Sequence, residues 1–179
     1  MVSNEHINVI KRNGRGKESL DIDKIHSMVG FATEGITGVS ASHVEMNSGL
    51  QFFDGISTDD IQQILIKSAN DLISLESPNY QYVAARLLLF SLRKSLHHRL
   101  WEHPKFITHI KKLVDLGLYD KGILDNYTEA EIDRMGMWID HERDYSFTYA
   151  GLRQVMDKYL VQDRSTGEIF ETPQFMYMM

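Results

Sequence analysis

The chain has 179 residues, 42% hydrophobic and 25% charged, which is the balance of a folded globular protein and not of a disordered one. Its formal net charge is -6 with the basic residues scattered among acidic ones, so no nucleic-acid-binding stripe is expected, and no run approaches the roughly 20 apolar residues of a membrane helix or the apolar core of a secretory signal. A cytoplasmic location is expected, and zero cysteines exclude disulfides, zinc ribbons and thiyl chemistry within this sequence.

The first element reads as a β-hairpin. His6 to Arg12 is an extended run, Asn13-Gly14 supplies the positive φ angles of a tight turn, and a second run reaches Ile22. Four helices follow. Asp23 is read as the cap of one with Ile25, Met28, Val29 and Ala32 inside, ending near Gly35. Ser40 caps the next, Val39 and Val44 form a hydrophobic staple, and Asp54-Gly55 closes it. Ser57-Thr58-Asp59-Asp60 opens a third, with Ile61, Ile64, Leu65 and Leu72 at helical spacing. Ser77-Pro78 opens a fourth, apolar on most sides between Tyr82 and Leu92 and so central to a small bundle. A hairpin lying over this bundle as a lid completes the first half.

The polar and aromatic stretch from His97 to Pro104 marks a junction. Beyond it, Phe106, Ile107, Ile110, Leu113 and Val114 mark a helix that stops at Gly117, and Thr128 with Glu131 forms a capping box before Ile132, Met135, Trp138 and Ile139. Leu152, Val155, Met156 and Tyr159 mark another helix. Tyr159 to Glu171 reads as a hairpin around Gly167, and Thr172-Pro173 starts a last helix whose Phe175 to Met179 are expected to form an exposed apolar patch. The fold class is therefore mainly α, with domains expected at 1–95 and 96–179.

Two groups of residues invite chemistry. A hairpin over the end of a bundle would bring together Lys11 and Arg12 on one strand, Glu18 and Asp21 on the other, Lys24 at a helix start, Thr58 at another and Lys94 near the end of the fourth helix. Three or four cations suit a triphosphate, carboxylates suit an adenine amino group or a ribose hydroxyl, and a helix N-terminus adds backbone donors. Taken one by one, the same residues also read as a solvated strand face, helix caps and a cation at a helix C-terminus, and no glycine-rich phosphate loop is present. The histidines 97, 98, 103, 109 and 141 do not have the spacing that places two imidazoles on one helical face, so neither a metal site nor a catalytic residue is expected.

The order Val9-Ile10-Lys11-Arg12-Asn13-Gly14, Ile22-Asp23-Lys24-Ile25, Phe53-Asp54-Gly55-Ile56-Ser57-Thr58 and Pro78 to Leu87 resembles the ATP cone of ribonucleotide reductases. Tyr127 to Glu131, His141-Glu142-Arg143-Asp144, Tyr159 to Asp163 and Thr166 to Glu171 with Pro173-Gln174-Phe175 are similar to the helical segment that leads into the catalytic barrel of the class I large subunit, in its bacterial and phage forms. The resemblance implies an N-terminal β-hairpin capping a four-helix cone, then a helical segment and a hairpin leading into a barrel this sequence does not contain. It implies a regulatory part of an enzyme that reduces ribonucleoside diphosphates to deoxyribonucleotides, not catalytic in isolation. ATP or dATP with Mg²⁺ would be the allosteric effector. The implied partners are the remainder of the large subunit, in cis or as a separate chain, a small radical-generating subunit, and further copies of the large subunit. Carried over by position, the nucleotide contacts would be Val9, Lys11, Arg12, Glu18, Ser19, Leu20, Asp21, Ile22, Asp23, Lys24, Thr58, Gln62, Ser91 and Lys94. Gln62 and Ser91 stand where the family often has histidines, which implies weak inhibition by dATP. An ATP-cone transcriptional regulator and a non-catalytic helical adaptor are the alternative readings.

Overall fold

A computed structural model describes residues 7–11, 16–49, 51–97 and 101–179. The chain divides into two compact units, Met1–Leu88 with Thr148–Ala150, and Leu89–Phe147 with Gly151–Met179.

In the first unit, β1 (Asn8–Ile10) pairs antiparallel with β2 (Lys17–Ser19), Val9 opposite Glu18. The Asn13-Gly14 turn falls outside the described residues, and Arg12 with it. The sheet has a third member that alternation could not reveal: β3 (Ile56–Ser57) runs parallel to β1, with Val9 opposite Ile56 and Ile10 opposite Ser57. Two residues are too few to show a period. Asp54-Gly55 accordingly does not close the second helix, which ends at Gly49, but leads into β3.

Helix α1 (Ile22–Thr33) turns Ile25, Val29 and Ala32 inward. Its cap is Asp21, not Asp23: Asp21 has extended backbone and its carboxylate accepts from the Lys24 N–H at 3.1 Å, while Asp23 lies one step inside, where its charge favours the helix dipole. Helix α2 (Ala41–Gly49) buries Val44, and α3 (Thr58–Asp71) buries Ile61, Leu65 and Ile66. Helix α4 (Tyr80–His97) starts two residues after Pro78, which sits in the preceding turn instead of the first helical position.

In the second unit, α5 (Phe106–Asp115) ends in a Schellman arrangement: Gly117 N–H donates to Val114 O at 2.9 Å and Leu118 N–H to Leu113 O at 2.8 Å. The φ of +70° at Gly117 is the left-handed conformation this closure needs. A short helix, α6 (Gly122–Asn126), leads to α7 (Glu129–Gly136), which carries the Thr128–Glu131 capping box. Because α7 stops at Gly136, helical spacing no longer governs Trp138, which is exposed. Tyr159 likewise lies past the end of α8 (Tyr149–Lys158) and faces solvent.

From Tyr159 to Glu171 the chain makes a single bridge, Gln162 with Ile169, and no extended strand. Glu171 anchors this loop, accepting from the Val161 N–H at 2.7 Å and from the Tyr119 hydroxyl. Helix α9 (Pro173–Met178) exposes only part of the expected apolar patch: Tyr177 and, just past the helix, Met179 face solvent, whereas Phe175 is buried and Met176 and Met178 are partly covered. Phe175 is 1% exposed, packed with Phe106, Ile107, Ile110 and Ile132, and Met178 lies against the same cluster. Burying one aromatic ring in an existing core offsets the marginal stability of so short a helix.

Candidate functional site

The parallel pairing of β1 with β3 is what organises the candidate site. Since Ile10 lies opposite Ser57, the next residues in register are Lys11 and Thr58, and Thr58 is the first residue of α3. A cation leaving the sheet therefore emerges beside a helix N-terminus. Ser57, not Thr58, is the side-chain cap: its hydroxyl accepts from the Asp60 N–H at 3.0 Å.

Around this corner lie four charges. Lys11 Nζ pairs with Glu18 Oε2 at 2.9 Å, and Lys24 Nζ with Asp21 Oδ2 at 3.2 Å. The Lys11 ammonium, with Lys24 adding to it, holds the Glu18 carboxyl below its ordinary range. Asp21 is likewise lowered, first by the backbone N–H of Lys24 and then by its ammonium. Val9 is buried beneath the strand pair, whereas Ile22 is 70% exposed and Ser19 and Asp23 also face solvent. Leu20 is half-buried, its N–H donating to Ile7 O.

Gln62 packs between two helices. It is 2% exposed, and its side-chain amide donates to the Leu87 carbonyl at 2.9 Å, tying α3 to α4. Ser91 and Lys94 lie on the part of α4 that belongs to the second unit. The described geometry pairs Lys11 with Glu18 and Lys24 with Asp21, sets Val9 opposite Glu18, and places Thr58 one residue past the β1–β3 pairing.

The second unit holds a buried polar network that no sequence motif announced. Arg93, 2% exposed, donates through Nη2 to the His141 carbonyl at 2.6 Å and through Nη1 to the Tyr145 hydroxyl at 3.0 Å, and lies 3.6 Å from Asp144 Oδ2. Asp144 Oδ1 accepts from Gln174 Nε2 at 2.8 Å. Burial pushes the Asp144 carboxyl up to about 6 despite the guanidinium. The rings of His103 and His141 stack with centroids 3.6 Å apart, and the Nδ1 atoms of both are buried without a hydrogen-bond partner. Burial drives His103 down to about 3, and His109 and His141 to about 4. Among the described residues no group of three or more histidine or acidic side chains is placed to hold a metal ion. Within this unit a cleft of about 670 Å³ is lined by His103, Phe106, Met137 and His141, with Lys105 and Arg134 offset by Asp133. No helix among the described residues is long and apolar enough to cross a membrane.

A basic strand end at a helix N-terminus, with paired carboxylates beside it, is an arrangement that known families can be compared with directly. Residues 7–95 match the ATP cone domain. Over 176 residues, 98% of its length, the chain is 47% identical to the ribonucleoside-diphosphate reductase 1 subunit alpha of Escherichia coli K12. The chain belongs to the ATP-cone family, in the form found at the N-terminus of ribonucleotide reductase alpha subunits. The alpha subunits of Haemophilus influenzae and of Enterobacteria phage T4 are 48% and 46% identical over 98% and 96% of the chain. In all three comparisons the chain spans less than a quarter of the relative's own length, 22% to 23%. The ATP cone is a nucleotide-binding regulatory domain.

Proposed function

We propose that the first unit binds ATP or dATP with Mg²⁺ through the corner formed by β1, β2 and the first turn of α3, and that this chain is the regulatory N-terminal part of a ribonucleoside-diphosphate reductase alpha subunit. The observation that supports the reading is the β1–β3 register, whose last pair, Ile10 with Ser57, is followed by Lys11 on one chain segment and by Thr58 on the other. Lys11 and Lys24 supply charge for the triphosphate, the N-terminus of α3 adds the favourable end of a helix dipole, and Glu18 and Asp21 supply acceptors for base or ribose. Arg12, Ser19, Leu20, Ile22, Asp23, Ser91 and Lys94 are assigned to the site by family resemblance. Gln62 contributes by keeping α3 against α4, not by meeting phosphate.

Residues 1–95 then act as the regulatory domain and 96–179 as the helical segment of the large subunit. The partners are the rest of that subunit, the small radical-generating subunit and further large subunits in the cytoplasm. The reaction served is reduction of ribonucleoside diphosphates to deoxyribonucleotides.

Calorimetry of the full chain with Mg–ATP is expected to show saturable binding. Lys11→Ala should weaken it by about tenfold or more, since a charge-assisted hydrogen bond contributes about 1.5–3 kcal/mol. Absence of binding heat and of any thermal shift with the nucleotide rejects the assignment. A companion expectation concerns chemistry: the chain holds no cysteine, so with any small subunit and reductant the isolated chain should form no deoxynucleotide. Product above background in a chromatographic assay rejects a cysteine-dependent mechanism.

A further inference from the structure

We propose that Asp54 is a positioning residue of the nucleotide site, whose carboxylate clips Asn8 and thereby holds β1 in the register that delivers Lys11 to the first turn of α3. This rests on the reading of that corner as a nucleotide site. One oxygen of Asp54, Oδ1, accepts from both the backbone N–H of Asn8 at 2.8 Å and its side-chain Nδ2 at 2.9 Å. The next residue closes the grip from the other side, the Gly55 N–H donating to the Asn8 carbonyl at 2.8 Å. Gly55 has a φ of +82°, a conformation that favours glycine and turns this N–H toward the strand.

The grip matters because the pairing it starts is so short. Only Val9 with Ile56 and Ile10 with Ser57 follow before the strand ends and Lys11 leaves it. Two-residue pairing has little hold of its own, and a slip of one position would send Lys11 to the opposite face. Burial of Val9 and Ile56 favours that register, and three directional hydrogen bonds to Asn8 reinforce it. Asp54 is at the far end of β1 from Lys11, so it acts through the strand. The Asn8 donors, with Lys17 nearby, keep its carboxyl below the usual range and hence ionised across the neutral range.

The test uses the full chain. Asp54→Leu should weaken Mg–ATP by about tenfold, the effect of one lost charge-assisted pair of bonds, and should weaken inorganic triphosphate in parallel. Asp54→Asn keeps an acceptor oxygen and should retain most of the affinity, which a merely structural role for the charge would not predict. Asn8→Ala removes one donor and should cost a few-fold on its own, but less again in the Asp54→Leu background, because the two residues share one interaction. Hydrogen exchange without nucleotide tests the clip separately: the amides of Val9 and Ile10 should exchange faster in Asp54→Leu. If Asp54→Leu does not fold, Asn8→Ala carries both measurements. Wild-type affinity in folded Asp54→Leu and Asn8→Ala, or unchanged exchange in β1 of Asp54→Leu, overturns the clip. If instead exchange accelerates as expected but the wild type takes no ATP, the nucleotide reading fails, and the positioning role falls with it.

Discussion

Replacing Arg93 with leucine is expected to destabilise the second unit by about 3–5 kcal/mol, the usual consequence of removing one member of a buried ion pair. The guanidinium is 2% exposed and the Asp144 side chain has no exposed surface. Without Arg93, Asp144 keeps only the Gln174 amide as a partner, the His141 carbonyl and Tyr145 hydroxyl lose their donor, and the cation over the Tyr145 ring at 5.0 Å is gone. Part of the loss should be recovered by adding Asp144→Asn, since a neutral amide tolerates the low-polarity surroundings that already hold the carboxyl up to about 6. Both tryptophans, Trp101 and Trp138, lie in this unit, so urea unfolding followed by their fluorescence reports it directly. A loss under about 1 kcal/mol for Arg93→Leu would show that solvent already screens the pair.

Lowering the pH from 7 to 5 should cost this same unit about 2 kcal/mol. His103, His109 and His141 are held neutral in the fold, at about 3, 4 and 4, while in the unfolded chain they titrate near 6.5. A depressed histidine contributes stability that is full above about pH 6.5 and is lost as the pH falls from there toward the folded values, because only the unfolded chain takes up the proton. Each such ring would give up about 1.4 kcal/mol per pH unit below 6.5. Two effects reduce the sum. His103 and His141 are partly exposed, so solvent screens part of their shifts. Asp144, raised by burial to about 6, takes up a proton in the folded state below that value, and Glu171, also raised by burial, acts in the same direction, which opposes the loss.

The groups that face the imidazole stack have mixed signs. Arg93 and His97 come from α4, Asp140 is the cap of the 3-10 helix His141–Ser146, and Lys112 from α5 acts on His109. The phenol of Tyr119 is pushed up by burial and its bond to Glu171, and its hydroxyl lies 3.4 Å from His109 Nε2. His103→Phe keeps a ring on the stack but removes one titration, so its urea midpoint should fall less between pH 7 and pH 5. Equal slopes for the variant and the wild type would mean that His103 is protonated in the fold and that its buried Nδ1 has found an acceptor.

Much of the architecture follows from local chemistry that a one-dimensional reading reaches. The Thr128–Glu131 capping box, the stop at Gly117 and the inward residues of α1, α3 and α5 each depend on neighbours within about four positions, the range over which helical periodicity and caps operate. The candidate corner was partly legible for the same reason: Lys11, Glu18, Asp21 and Lys24 lie within 14 residues on consecutive elements, and family resemblance named them together. Local signals also misled where two caps competed. Asp21 and Asp23 are both good N-cap residues, and only the backbone conformation decides that Asp21 turns its carboxylate onto the Lys24 N–H.

What tertiary structure alone decided involves partners far apart in sequence. β3 has no period of its own and exists because β1 pairs with it from far along the chain, as Asn8 does with Asp54 at a separation of 46. Gln62 looks like a polar surface residue until Leu87 offers its carbonyl, and Phe175 looks exposed until Phe106 and Ile132 cover it. Arg93 and Asp144 are ordinary charges in the sequence, and their burial is a property of the packed unit. Composition, caps and periodicity determine which helices form and that no cysteine chemistry occurs in this chain, because those are short-range or purely compositional facts. The register that brings Lys11 to Thr58, and the burial that perturbs His103, His141 and Asp144, depend on long-range pairing, whose cost and reward are settled only when the whole unit folds.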